Sequence, residues 1–229
     1  CIFGAMLSGA LTDRFGRKRL LILAGFLFTL SAVWTALAGD FLSFNLARFT
    51  GGLGIGLASN LSPMYIAEIS PAEMRGRFVS INQLTIVIGI LLAQIANWLI
   101  AQPVPEGSSA QEILLSWNGQ RGWRWMFWAE LVPASLFFML MWFVPESPRW
   151  LASKGRGPQA GAILTRINGS KQAEKELASI NEAISKEEKG SWKVLFRPGI
   201  RVALFAGIAL AVLSQFTGIN AIIYYGPRI

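Results

Sequence analysis

GALTDRFGRKR, residues Gly9–Arg19, packs five charges with a net value of +3 into eleven positions between two apolar runs. What those runs are decides the fold. Leu20–Gly39, directly after the turn, holds no charged residue. A helix rises 1.5 Å per residue, so a run of this length reaches across a hydrocarbon core of about 30 Å. Cys1–Leu11, before it, is apolar but shorter than the roughly 20 residues a full crossing takes. The charged turn is therefore read as the watery end of a membrane hairpin.

The same pattern continues outward. Phe41–Ala67 holds only Arg48, Phe78–Pro105 no charge, Trp125–Pro145 only Glu130, and Val202–Pro227 none. Five full or nearly full crossings and one partial crossing are expected. The composition agrees: 53% of the 229 residues are hydrophobic, mean hydropathy is +0.45, and 15% are charged, against roughly a quarter in a soluble domain. A net charge of +8 and a pI near 10.2 would also suit a nucleic-acid binder. The placement of the charges argues against nucleic acid and for a lipid bilayer. Gly9–Arg19, Ser70–Arg77 and Glu146–Arg201 hold 17 of the 21 Lys and Arg, and these are alternate loops. Alternate loops share one side, and the positive-inside rule makes it the cytoplasm.

With no His and a single cysteine, Cys1, histidine metal sites, Ser-His-Asp triads and internal disulfides are excluded. No cofactor, metal or catalytic residue is expected. The chain opens without an initiating Met and stops inside an apolar run, as an interior piece of a longer protein would.

Glu146–Arg201 carries 17 of the 34 charges. Its apolar residues Ile163, Leu164 and Ile167, then Leu177, Ile180 and Ile184, recur at helical spacing, with Gly157-Pro158 opening the first stretch and Asn168-Gly169 breaking it from the second. Short amphipathic cytoplasmic helices are the reading, with a flexible charged linker the alternative.

Four features inside the runs carry chemistry. Arg48 costs at least ~2.5–3.5 kcal/mol in a membrane helix unless it faces a partner or a wet cavity, or snorkels from near the helix end. Gly52 and Gly56 form a small-xxx-small pair for close helix approach. Gln83, Ile90, Gln94 and Asn97 fall within about 40° of one helix face. Such a row of amides lines a cavity for hydroxyl groups or bonds between helices. Ser214, Gln215, Thr217, Asn220, Tyr224 and Tyr225 surround Gly218. A Gly-interrupted membrane helix is where transporters build substrate sites, and uncharged amides beside aromatic faces suit a neutral polyol or sugar.

These motifs together strongly resemble the sugar porter family of the major facilitator superfamily. GALTDRFGRKR resembles the superfamily's loop between helices two and three. ARFTGGLGIG, PMYIAEISPAEMRG, PESPRWLASKGR and QFTGINAIIYY match further signatures in order. The resemblance implies an all-α membrane protein running from within helix 2 to within helix 7 of a 12-helix fold. Residues 1–145 would then be helices of the N-terminal half, 146–200 a cytoplasmic helical linker, and 201–229 helix 7.

It implies alternating-access transport of a monosaccharide or related polyol, without covalent chemistry, and with protons as the coupling ion. A facilitative uniporter and a non-transporting sugar sensor are the alternatives. Gln83, Ser214, Gln215, Asn220, Tyr224 and Tyr225 would touch the sugar. Asp13, Arg14, Arg17, Glu68, Arg75, Glu146 and Arg149 would form a cytoplasmic gating network that holds the two halves together. Arg48 would serve proton coupling, paired in the family with an acid on helix one; this leaves it without a resident partner here. Two departures bear on the sugar: the family usually has Gln where Ser214 stands, and many members have Gln where Ile90 stands.

Overall fold

The computed structural model describes residues 1–71, 73–105, 107–186 and 198–216. Residues 1–180 and 181–229 form separate compact units. The first unit opens with four helices, α1 (Ile2–Phe15), α2 (Arg17–Leu37), α3 (Phe41–Ile69) and α4 (Arg75–Ile100). Then come a short α5 (Ala110–Leu115), a π-helical turn at Asn118–Gly122, and α6 (Trp123–Leu140). The basic segment folds as α7 (Pro148–Ser153), α8 (Gly157–Asn168) and α9 (Ser170–Lys186), and α10 is Pro198–Phe216. There is no strand among the described residues.

The helix ends follow local chemistry. Asp40 caps α3 by accepting from the Ser43 backbone N–H at 2.7 Å. Ser109 and Glu112 close a reciprocal capping box on α5. Ser147 caps α7, with Pro148 in its first turn. Gly169, at φ 78, ends α8 where the Asn168-Gly169 break predicts, and Gly157-Pro158 opens it. The segment is thus helical through Lys186 rather than an irregular linker.

Helix directions come from residue pairs. Trp34 meets Ser43, Ser31 meets Ala47 and Arg17 meets Glu68, so α2 and α3 are antiparallel. Lys18 meets the Trp142 carbonyl and Arg124 the Ala36 carbonyl, so α6 is antiparallel to α2. α1 runs parallel to α3, with Asn60 bonded to Ser8 at 3.1 Å. Their approach is close enough that a Cβ on Gly56 would meet backbone atoms of Cys1, Gly4 and Ala5, and one on Gly52 would lie 3.3 Å from the Cys1 nitrogen. The small-residue pair is the seat of α1. Leu20, Leu21, Ala24, Leu57, Leu61, Tyr65 and Met141 form the core at one end of the bundle, where α2, α3 and the end of α6 meet.

α2 and α4 are long and apolar enough to cross a membrane. α3 reaches 29 residues but spreads Asn45, Arg48, Asn60 and several Ser and Thr side chains along its length, and the 18-residue α6 carries Arg124 and Glu130. α4 packs on α3 and α6 yet buries none of its residues, presenting Leu84, Val87, Leu91 and Trp98 outward.

Candidate functional site: a charged cluster at the basic end of the bundle

The turn between α1 and α2 is the foundation. Gly16, at φ 90, reverses the chain between the two helices, in a backbone region that penalises any side chain. A Cβ here would also fall 2.5 Å from Glu146 Oε2. The space it leaves open admits the Glu146 carboxylate to the start of α2. There Glu146 Oε1 accepts from the backbone N–H groups of Arg17 and Lys18, each at 3.0 Å, and from Ser147 N–H at 2.9 Å. A carboxylate at a helix N-terminus satisfies donors that have no partner within the helix and complements the helix dipole.

Arg17 then turns inward. Its Nε and Nη2 donate to the two oxygens of Glu68, both at 2.9 Å, in a fork that joins α2 to α3. The pair is nearly dry, with side-chain exposures of 9% and 10%. Ser147 Oγ donates to Glu68 Oε2 at 2.6 Å while accepting from Trp150 N–H at 3.2 Å, so one hydroxyl both caps α7 and ties it to the ion pair. Trp150 Nε1 donates to the Asp13 carbonyl at 3.2 Å, and Tyr65 Oη to the Pro145 carbonyl at 2.5 Å. Lys18 Nζ reaches the Trp142 carbonyl at 2.8 Å. The ends of α1, α2, α3 and α6 are thereby locked to α7.

Of the residues expected in this network, Arg17, Glu68 and Glu146 are its centre. The Asp13 carboxylate, 84% exposed, stands 3.9 Å from Arg17 at the margin. Arg149 lies exposed on the first turn of α7. Two expected members stand apart. The Arg14 guanidinium is exposed and packs over the Phe15 ring at 5.3 Å. Arg75 is exposed at the start of α4 and forms no ion pair among the described residues. Among the described residues, the hydrogen bonds and ion pairs given above fall within residues 1–180, and they hold the first helices to the linker. Ser147, Trp150, Tyr65 and Lys18 were not among the expected members. Ser147 had a signal, since Ser-Pro before an apolar stretch reads as a helix cap.

Arg48 differs from expectation more sharply. It has a resident partner: Nη1 lies 3.6 Å from Glu130 Oε2 of α6, and the guanidinium sits 5.1 Å from the centre of the Phe127 ring. The pair stands in the half of the bundle away from the basic end, with the two side chains 43% and 44% exposed. Two opposite charges inside apolar runs have found each other, which removes the cost of leaving either alone.

Of the residues assigned to the sugar, Gln83 is exposed on α4, with Ile90 and Gln94 half-buried and Asn97 exposed along the same helix. Ser214 and Gln215 belong to α10, but their side chains lie outside the described residues, as do Asn220, Tyr224 and Tyr225 entirely.

Comparison with known proteins bears on the whole chain. A family model described as "Sugar (and other) transporter" matches residues 1–229. The arabinose-proton symporter of Bacillus subtilis (strain 168) is 43% identical over 228 residues, covering 100% of this chain and 47% of that protein. The D-xylose-proton symporter of Escherichia coli (strain K12) is 40% identical over 248 residues, covering 100% and 48%. A solved structure of the xylose transporter XylE from E. coli, in a partially occluded inward open conformation, superposes with a TM-score of 0.81 at 38% identity, over 100% of this chain and 51% of that one. The chain spans about half the length of the curated relatives it matches. It belongs to the sugar transporter family, an integral membrane family of major facilitator fold whose members are transporters and not enzymes.

Proposed function

We propose that the protein containing this chain moves a monosaccharide or related polyol across the membrane by alternating access, with the sugar's entry coupled to protons. The observation that carries this is the match over all 229 residues to proteins named as arabinose- and xylose-proton symporters. The basic end of the bundle is cytoplasmic in this reading, because the Lys and Arg gather there. Residues 1–145 belong to the first half, residues 146–200 to the cytoplasmic linker, and residues 201–229 to the first helix of the second half.

The sugar is held by Gln83 on α4 and by Ser214, Gln215, Asn220, Tyr224 and Tyr225, whose amides, hydroxyls and aromatic faces match the chemistry of sugar hydroxyls and C–H faces. The cluster around Arg17, Glu68 and Glu146 makes the cytoplasmic ends of the first half move as one body with the linker, which rocking of rigid halves requires. The charge that serves proton coupling in the first half is Arg48, which leaves Glu130 for another acid during the cycle.

The test is uptake of radiolabelled arabinose, xylose and glucose into proteoliposomes of the full-length protein, with and without an inward proton gradient. Accumulation of one of them, driven by the gradient, is expected. Arg48→Leu should abolish accumulation while exchange of internal for external sugar persists. Normal accumulation in that variant would make the Arg48–Glu130 pair purely structural; absence of sugar movement under any gradient would remove the transport reading.

A further inference from the structure

A pocket of about 530 Å³ opens beside the charged cluster, where α2 meets the end of α6 and the linker helices. Lys18, Arg19, Arg156 and Gln159 line it together with the apolar side chains of Ile22, Trp142, Trp150, Leu151 and Ile163. Neither Arg19 nor Arg156 forms an ion pair among the described residues, and both are exposed. The one acid lining the pocket, Glu146, has an oxygen already committed to three backbone N–H groups. Three cations and one carboxylate thus line the pocket, which leaves it with an excess of positive charge.

The pocket also has a tail. Arg19, Leu23, Phe26 and Leu30 lie within about 40° of one face of α2, since each residue turns the helix by 100°. All four are exposed, the last three at 41%, 48% and 39%. Phe26 packs against Phe138 of α6 at 6.2 Å, and Phe138 against Trp142 at the same distance. Exposed apolar side chains of α2, backed by Phe138 and Trp142, thus continue along α2 from the cationic pocket, and a Trp is the kind of side chain that sits at headgroup level.

We propose that this is a site for an anionic phospholipid of the cytoplasmic leaflet. The headgroup phosphate sits among Lys18, Arg19 and Arg156, and an acyl chain lies along Leu23, Phe26 and Phe138. Basic pockets between membrane helices on the cytoplasmic side hold anionic headgroups in this way, and guanidinium pairs suit phosphate oxygens. A phosphate here would touch Lys18, whose backbone N–H holds Glu146, so the lipid would brace the linker helices against α2. The proposal rests on the membrane orientation given above, and its test reads lipid selectivity rather than transport, so the two can fail separately.

The test uses the full-length protein in nanodiscs of mixed phosphatidylglycerol and phosphatidylcholine, ejected into a native mass spectrometer, with retained lipids counted by class. Retention of phosphatidylglycerol over phosphatidylcholine is expected. Arg19→Gln and Arg156→Gln should each reduce that preference roughly fivefold, as expected for one cation near a membrane surface. Gln159→Glu, which adds a carboxylate to the pocket lining, should reduce it as well, and Lys171→Gln on α9, outside the pocket, should leave it unchanged. Millimolar inorganic phosphate should not displace the lipid. Equal retention of the two lipids, an equal loss in Lys171→Gln, or displacement by inorganic phosphate would each overturn the assignment.

Discussion

Breaking the Arg17–Glu68 pair from either side should be the costliest kind of single truncation at the basic end of the bundle. Glu68 accepts two of its three bonds from Arg17, at 2.9 Å each, and the third from Ser147 at 2.6 Å. In Arg17→Ala the carboxylate, 10% exposed, keeps only the hydroxyl. Stranding one member of a buried pair costs about 3–5 kcal/mol, and Glu68→Ala, which strands the guanidinium instead, should cost a similar amount. Arg17→Lys keeps the charge but gives up the planar fork, and with it one charge-assisted hydrogen bond, for about 1.5–3 kcal/mol.

The double variant Arg17→Ala/Glu68→Ala strands neither charge. Its loss should therefore fall short of the sum of the single losses by at least ~2 kcal/mol, a coupling that only interacting residues show. Reversible SDS unfolding of the full-length protein in mixed micelles, followed by tryptophan fluorescence, measures all four variants on one scale. Additivity to within about 0.5 kcal/mol would refute the claim that Arg17 and Glu68 act as one desolvated unit. A lysine variant as stable as the parent would refute the role of the fork.

Three further outcomes are expected. Gly16→Ala meets a positive φ and a carboxylate oxygen at once, so it should lose about 2 kcal/mol or more in the same unfolding assay, and Glu146→Ala in the same background should add little, its carboxylate having already been displaced. Gly56→Ala presses a methyl group onto the backbone of α1, which cannot yield as a side chain would, and should cost about 1–3 kcal/mol, read as faster proteolysis of the α1–α3 contact. Glu112, in the exposed capping box of α5, is held below the ordinary carboxylate range by the Ser109 backbone N–H and then by the Ser109 hydroxyl. Its contribution to α5 is present above the unfolded value and lost as pH falls through the lowered one, so hydrogen exchange at residues 110–115, corrected for its intrinsic pH dependence, should accelerate only in acid, and Ser109→Ala should bring the same loosening at neutral pH.

How much of this was legible in the sequence depends on range. Helix boundaries are local, and the residues that set them announce themselves: Gly157-Pro158 and Asn168-Gly169 bracket α8, and Asp40 precedes α3. Of the five crossings expected from the spacing of charge, α2 and α4 are long and apolar enough among the described residues. The centre of the cluster was reached through resemblance, since nothing local to Glu68 says that its partner is 51 residues earlier. Ser147 was readable as a cap but not as the donor to Glu68, because the second role depends on where α3 ends in space. Arg14 and Arg75 were assigned to the network on the same resemblance; both are exposed and neither forms an ion pair among the described residues. The sugar-facing residues of α10 and beyond lie outside the described residues.

The Arg48–Glu130 pair was within reach of arithmetic alone. Phe41–Ala67 and Trp125–Pro145 each hold one charge, of opposite sign, and each charge is costly in hydrocarbon by itself. Pairing them is the cheapest arrangement, and the structure adopts it at 3.6 Å. Its strength is nevertheless of a different order from that of Arg17–Glu68. With both side chains more than two-fifths exposed and a closest approach of 3.6 Å, it lacks the two short parallel bonds and the burial of the fork. The two pairs thus divide the bundle. At the basic end a dry fork, braced by Ser147, fixes α2, α3 and α7 against one another. At the other end a longer and more exposed pair joins α3 to α6. The proton coupling proposed for Arg48, in which it changes partners, requires a contact of that looser kind, whereas a contact that holds helices together requires the opposite.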